Sequence, residues 1–289
     1  VEEQSMARAA EKLYLSQQNL SNSIKRLEQQ YGTLFQRRPQ FRLTAEGRAL
    51  YQTLQQIQVL ENNLTVQLRE IKREDAGNIR FGIPATRGRL LLPQLLKRFR
   101  CQFPHTQVDL ILDDTEQLEQ KLLRGELDLM LGIDVTPQPE LISTICSREK
   151  IYLVASRELL REHGMKEWEE ERLAELPFLL NPPISRLRQE AERYFRRLSV
   201  APSRSAVVGD FELQLLLAAQ GEGVCFCTQM MLAKMKEINQ RLGQEEQLCA
   251  FPLRDENAYF VLSIVRHRYG ADTRALAVFA DILARLVQE

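Results

Sequence analysis

Ser16 is followed by Gln17, Gln18, Asn19, Ser21, Asn22 and Lys25, interleaved with Leu20, Ile24, Leu27 and Tyr31. The four apolar residues recur at helical spacing and share a face, which leaves the amides, the hydroxyl and the ammonium on the sides facing out. Side-chain amides pair with adenine edges, and all of these groups bind phosphate oxygens. The chemistry on offer is therefore recognition of a DNA major groove. Ser16 suits the N-cap of such a helix and Gly32 its end. The run LFQRRPQFRLT that follows sets Arg37, Arg38 and Arg42 around a turn at Pro39, an arrangement able to grip phosphates beside the groove. A polar helix face alone is more often plain scaffold, so the arginines matter to the reading. Residues 1–48 hold eight Lys or Arg against five Asp or Glu, a net +3, whereas the whole chain is neutral, so the remainder carries −3.

Other chemistries find less support. Cys101, Cys146, Cys225, Cys227 and Cys249 lack zinc-site spacing, and His105, His163 and His267 are scattered. No glycine-rich phosphate loop occurs. The expectation is a non-enzyme with no cofactor and no metal, its thiols reduced in the cytoplasm and Cys225 and Cys227 buried and inert. No apolar run of about 18 residues exists, so no membrane partner is expected. Glu167, Glu169, Glu170 and Glu171 around Trp168 read as a solvated helix face. Two alternatives stay open: a cysteine redox sensor, and a two-lobed solute-binding or enzymatic domain carrying the helix-turn-helix as an interaction module.

The elements that position these groups can be read in turn. Met6, Ala9, Ala10 and Leu13 give a helical stripe whose alanines permit a close crossing with the helix opened by Ser16. Residues 45–73 carry Leu50, Ile57, Leu64 and Ile71 every seven residues, with Leu54 and Leu68 at the complementary position and Glu61 interrupting. Such a helix is about 40 Å long at 1.5 Å per residue, and its apolar seam calls for a partner, which is expected to be a second copy. Two copies place two recognition helices on successive groove faces, so the DNA partner should be an interrupted inverted repeat. Asp75, Gly77 and Asn78 mark a hinge at 74–78. Beyond it, strands and helices alternate: helices over 90–103, 115–124, 186–198, 211–220 and 273–287, and strands over 79–83, 108–112, 127–133, 151–155, 178–180, at Val207, 224–227 and 259–265. This is α/β with a largely parallel sheet in two similar lobes.

In such a domain a ligand belongs where strands end and helices begin, because unpaired helix N–H groups favour anions. Pro84, Ala85, Thr86 and Arg87 meet that rule, as do Asn181 to Ser185, whose Pro182 and Pro183 preset the loop. Phe226, Cys227 and Thr228 follow a later strand, and Asp134 follows another. Thr86, Arg87 and Arg89 favour a small anion such as a carboxylate. The competing reading for each position is a helix cap without a ligand.

Ala9, Ala10, Leu13, Ser16, Gln17, Ser21, Ile24, Leu27, Glu28, Gly32, Leu34, Phe35, Arg37, Leu43, Thr44 and Gly47, in that order, resemble the pattern of LysR-type transcriptional regulators. The downstream organisation fits the same family through to Glu289. Asn22 departs from it: arginine is frequent there, so base reading does not carry over at that position. Val1 is not methionine and the first helix is short for the family, so residues are expected before it. The resemblance implies an α/β effector domain of two Rossmann-like, periplasmic-binding-protein-like lobes, an all-α winged helix-turn-helix domain and a long dimerisation helix. It places the DNA-binding domain at 1–48, the linker helix at 45–73, lobe I at 79–148 with 263–289, and lobe II at 149–262. It further implies crossings between lobes near Arg148 and Ser263, a last helix returning to lobe I, effector contact by Thr86, and assembly of a homodimer into a homotetramer. RNA polymerase is a further candidate partner.

Overall fold

The computed structural model describes residues 3, 5–36, 41–71, 77–165, 168–244, 246–255 and 257–288, with backbone alone at 67 and 69–71. The chain divides into two compact units. The first is Val1–Glu74 with Leu123–Glu126 and Tyr269–Ala271, and the second is Asp75–Leu122, Leu127–Arg268 and Asp272–Glu289.

The first unit opens with α1 (Met6–Lys12), capped by the Ser5 hydroxyl, and α2 (Gln17–Tyr31), where Ser16 Oγ accepts from Asn19 N at 3.2 Å. The turn between them passes Tyr14 at φ 55°, and Ala10 is buried where the helices cross. Leu13, expected on the inner stripe of α1, is instead its exposed C-cap, because the chain has already turned away. Leu20 and Ile24 are half-buried, while Leu27 and Tyr31 are exposed, so the inner face of α2 is shorter than its periodicity suggests. Gly32 ends α2 at φ 83°, a backbone that side-chain-bearing residues resist. A small antiparallel pair follows, β1 (Phe35–Gln36) with β2 (Arg42–Leu43), so the domain is not purely helical. Phe35 and Phe41 stack at 4.8 Å, and Glu28 Oε1 accepts from Leu34 N, tying the pair to α2. Thr44 Oγ1 then accepts from Gly47 N and starts α3 (Ala45–Ile71). Val59 of α3 is buried, and Asn62 Nδ2 donates to Gly125 O at 3.1 Å.

The second unit runs β3 (Asn78–Ile83), α4 (Ala85–Arg100), β4 (Gln107–Leu112), α5 (Thr115–Leu123), β5 (Leu129–Ile133), β6 (Leu141–Ser156) and α6 (Arg157–Glu162). After a 3-10 turn at Glu170–Glu175 come β7 (Pro177–Leu180), α7 (Arg186–Leu198), β8 (Arg204–Val207), α8 (Phe211–Ala219) and β9 (Val224–Thr228). Another 3-10 turn at Gln229–Met231 precedes α9 (Leu232–Asn239), β10 (Leu248–Pro252), β11 (Tyr259–His267) and α10 (Arg274–Gln288). Among the described residues these strands form one nine-stranded sheet in the order β4-β3-β5-β11-β6-β9-β7-β8, with β10 on β6.

The outer strands of each lobe run parallel, β3 pairing β4 and β5, and β7 pairing β8 and β9. The centre of the sheet is antiparallel. The 16-residue β6 pairs β11 over 141–150 and then β9 and β10 over 151–156, so it belongs to both lobes. Arg148 stands opposite Val261 in that register, and the ladder shifts between Leu262 and Ser263. Each lobe has an aromatic centre: Phe81, Phe99 and Phe279 in one, Phe178, Phe195 and Phe226 in the other. Phe279 brings α10 back onto the first lobe against α4.

Several expectations are corrected. Helix α4 begins at Ala85, not at residue 90, and β6 begins ten residues before 151. Helices α6 and α9 and strand β10 are additions that the alternation of strands and helices does not predict. The acidic run is not a solvated helix: Glu170 is buried and Trp168 stacks on Phe251 at 4.5 Å, while Glu167 lies outside the described residues. No helix among the described residues is long and apolar enough to cross a membrane.

Candidate functional site

Helix α2 presents Gln17, Gln18, Asn19, Asn22 and Lys25 exposed and Ser21 half-buried, and it contains no fully buried residue. Its Ser16 cap satisfies one first-turn N–H and fixes the helix start. Gln17 and Ser21 line a hollow of about 230 Å³ with Phe35 and Phe41, so they face the β1–β2 side, whereas Gln18, Asn22 and Lys25 do not line it. Arg42 is exposed on β2, and Arg37 and Arg38 lie outside the described residues.

The second unit holds a cavity of about 440 Å³ between its lobes. Pro84, Ala85, Thr86 and Arg87 enter its wall from the start of α4, Asn181 and Ser185 from the turn before α7, and Thr228 from the end of β9. The structure thus gathers these seven sequence candidates around one space. Three others lie elsewhere. Asp134 sits at φ 47° and is pinned to the Val261 backbone by two bonds, its own N–H donating to Val261 O and its side-chain Oδ1 accepting from Val261 N, both at 2.9 Å. Phe226 is packed in the lobe II aromatic core. Cys227 is fully buried beside Cys225 on β9. Position after a strand nominated all three, but the pleat turns Phe226 and Cys227 into the packed layers on either side of the sheet.

Sequence reasoning missed much of the wall. Ile133, Leu187, Phe211, Met231 and Phe260 form its apolar part, and Asp113, Asp114 and Glu116 its acidic part. Asp113 and Asp114 sit in the turn between β4 and α5 and Glu116 in the first turn of α5, so the rule that selects the Pro84 loop also points to them. The apolar residues carried no signal separable from core. Arg186, in the first turn of α7, also lines the cavity, and its charge reaches Glu119 of α5 across the lobes; burial nevertheless raises the Glu119 carboxyl above the ordinary range.

Two of the helices that begin at the cavity lack side-chain caps: α4 starts at Pro84, which has no cap to give, and Ser185 makes no cap bond to α7. Their first N–H groups form a positive lining. Arg87 is buried and ion-paired with Glu149 of β6. Glu149 also accepts from Thr228 Oγ1 at 2.7 Å and Met230 N at 2.6 Å. Desolvation pushes the Arg87 guanidinium pKa down and the neighbouring Glu149 opposes that shift. A second hollow, of about 690 Å³, lies on the other side of Glu149 between α4, α9 and the end of α10. Among the described residues no cluster of His, Cys, Asp and Glu is arranged to hold a metal.

Residues 72–288 match the family described as "LysR substrate binding domain", and residues 1–48 match "Bacterial regulatory helix-turn-helix protein, lysR family". The uncharacterized HTH-type transcriptional regulator YcgK of Bacillus subtilis (strain 168) is 38% identical over 128 residues, 44% of this chain and 40% of that one. The HTH-type transcriptional regulator YtlI of the same organism is 30% identical over 201 residues, 67% of this chain and 63% of that one. The chain therefore spans less than two thirds of either curated relative. A crystal structure of full-length CbnR complexed with its target DNA superposes with a TM-score of 0.56 at 22% identity, covering 99% of this chain and 95% of that one. That likeness speaks to the fold, and the two family matches, which adjoin a helix-turn-helix to a two-lobed α/β unit in the order seen here, decide the lineage: the chain belongs to the LysR family.

Proposed function

We propose that the chain is a sequence-specific DNA-binding transcriptional regulator that responds to a small anionic effector in the cavity between its two lobes. The observation that carries DNA binding is the outward face of α2, where Gln18, Asn19, Asn22 and Lys25 stand exposed on a helix held by a serine cap. The family match and the DNA-bound CbnR fold support it. In this reading Ser16, Gln17, Gln18, Asn19, Ser21, Asn22, Lys25, Arg42 and the arginines at 37 and 38 contact DNA. The DNA-binding domain is 1–48, the linker helix 45–73 and the hinge 74–78, with lobe I at 79–148 and 263–289 and lobe II at 149–262. The chain works in the cytoplasm as a self-associated dimer or tetramer on an interrupted inverted repeat, with RNA polymerase as a further partner.

The effector reading rests on the two uncapped helix N-termini that meet at the cavity, an arrangement that favours an anion. Binding there changes the relative angle of the lobes only as far as the ligand prefers one angle over the other.

Fluorescence anisotropy of the full chain on fragments of its own genome, across a salt series, tests the reading. Gln18→Ala is expected to lose about 1–3 kcal/mol at one base position. Arg42→Ala is expected to weaken all sequences alike and to reduce the salt slope by about 1. Absence of any salt-dependent preference among fragments sinks the proposal.

A further inference from the structure

Arg87 differs from every other charged residue of the cavity wall in being 2% exposed and only partly paired. Its Nη2 donates to Glu149, while Nε and Nη1 are buried with no hydrogen-bond partner. Glu149 has no capacity to spare, since its other oxygen already accepts from Thr228 and Met230. Arg87 and Thr228 line this cavity while Glu149 and Met230 line the second hollow, so the group they form stands in the wall between the two. Burying a guanidinium without acceptors is unfavourable. A floor built around two unpaired guanidinium nitrogens calls for an acceptor from the cavity side.

We propose that Arg87 reads the charge of the effector and that the group it reads is a planar carboxylate on an otherwise apolar small molecule. This rests on the reading of the cavity as an effector site. Nη2 belongs to both edges of the guanidinium, so one carboxylate oxygen takes its second hydrogen while the other takes Nε or Nη1, a bidentate geometry that suits a flat anion. The first-turn N–H groups of the 16-residue α4, capped by Pro84 without a side-chain bond, converge on the same place. Asp113, Asp114 and Glu116 stand in the same wall and disfavour a dianion such as phosphate. Leu187, Phe211 and Phe260 receive the apolar body. A side-chain shift of the floor opens the buried nitrogens to the ligand. Because ligand and Glu149 then share Nη2, occupancy loosens lobe I from a residue held to lobe II by Thr228 and Met230.

Calorimetric titration of the full chain with benzoate and with benzamide, its uncharged isostere, tests the assignment. Benzoate is expected to bind at about millimolar affinity or better, with benzamide at least about tenfold weaker. Glu149→Gln keeps one acceptor oxygen for Thr228 and Met230 but removes the competing charge and the oxygen that holds Nη2, so it should tighten benzoate several-fold and leave benzamide unchanged. Arg87→Lys, which keeps the charge and loses the planar edge, should weaken benzoate at least about tenfold. Should Arg87→Lys not fold, Glu149→Gln decides alone, because a merely structural ion pair would weaken both probes together. Equal binding of benzoate and benzamide overturns the role of Arg87 and leaves the cavity as a ligand site. Benzoate binding that ignores both substitutions overturns Arg87 and leaves the anion reading. Silence of both probes at about 100 mM removes both readings.

Discussion

Arg89 of α4 donates through Nη1 to Oδ2 of Asp210, the residue that caps α8, at 2.5 Å, and so joins lobe I to lobe II beside Gly209 and Phe211 in the cavity wall. The same carboxylate accepts from Leu213 N at 2.9 Å through Oδ1. The bond from Arg89 chiefly, and then that from Leu213, holds the Asp210 carboxyl below its ordinary 3.8.

Separate substitutions divide these two tasks. Asp210→Ala removes cap and ion pair and is expected to cost about 1–2 kcal/mol. Arg89→Ala removes only an exposed pair and should cost about 0.2–1 kcal/mol. Asp210→Asn keeps a capping oxygen and loses the charge. A depressed folded-state pKa contributes stability above the unfolded value and loses it as pH falls through the folded one, so the gap between wild type and Asp210→Asn should close below about pH 4. Urea denaturation at a series of pH values measures this, and a gap that widens in acid contradicts it.

How far the sequence discloses this architecture depends on how local each signal is. The span 186–198 is legible to the residue because its apolar stripe, the preceding serine and the end of the run at Leu198 all sit within one short segment. The first half of β6 is not, because Ser143, Thr144 and Ile145 are all exposed and the strand is held by its ladder with β11, more than a hundred residues away. Arg87 reads as an anion-binding arginine of a loop and proves to be a buried helix residue, since the group that neutralises it, Glu149, is 62 residues distant. The cavity wall follows the same division. Turns between strand and helix can be found by pattern, but Ile133, Leu187 and Phe260 look like core until the lobes face each other.

Gly47 is buried at the start of α3, and a Cβ built there falls 2.1 Å from Leu34 O and 3.0 Å from Leu43 Cδ2. In an exposed helix Gly→Ala stabilises by about 1 kcal/mol. Here the nearest obstacle is backbone, which cannot rotate away, so Gly47→Ala should push α3 off the β1–β2 pair and cost more than about 2 kcal/mol. Thermal unfolding reports it, and a neutral or stabilising change would show that the segment around Leu34 yields easily.

The thiols make a prediction about the redox alternative. Burial pushes Cys225 up to about 12 and Cys227 well above its usual value, whereas Cys101 is exposed and Cys249 partly so. At pH 8 the thiolate fraction of Cys225 is on the order of 10⁻⁴. Iodoacetamide should label Cys101 first and Cys249 slowly, reaching Cys225 and Cys227 only on unfolding, as peptide mass spectrometry can follow. A peroxide-induced change in DNA binding abolished by Cys227→Ser, with the chain still folded, would revive a sensing role.

Leu54, Ile57, Leu60, Leu64 and Leu68 stand 45–55% exposed along α3, while Val59 is 3% exposed against the segment at Gly125. Leu50 is half-buried on the same seam and the side chain of Ile71 lies outside the described residues. A helix with one apolar face packed and a second left open is expected to receive another chain, here a second copy. Each such side chain that completes its burial adds on the order of 1 kcal/mol. Five from each of two copies sum to on the order of 10 kcal/mol, and part of that is lost to the entropy of association. A micromolar dimer needs about 8 kcal/mol, so the seam alone lies near the margin and its interruption at Glu61 should matter. The double substitution Ile57→Lys with Leu64→Lys places four charges in the dimer seam and should yield monomer at micromolar concentration with helix content intact. Glu61→Leu should tighten the dimer, and Gln52→Lys, off the seam, should leave it unchanged. Sedimentation equilibrium separates these cases. If the unaltered chain sediments as a monomer at that concentration, the exposed stripe does not serve self-association, and operator reading by paired helices fails with it.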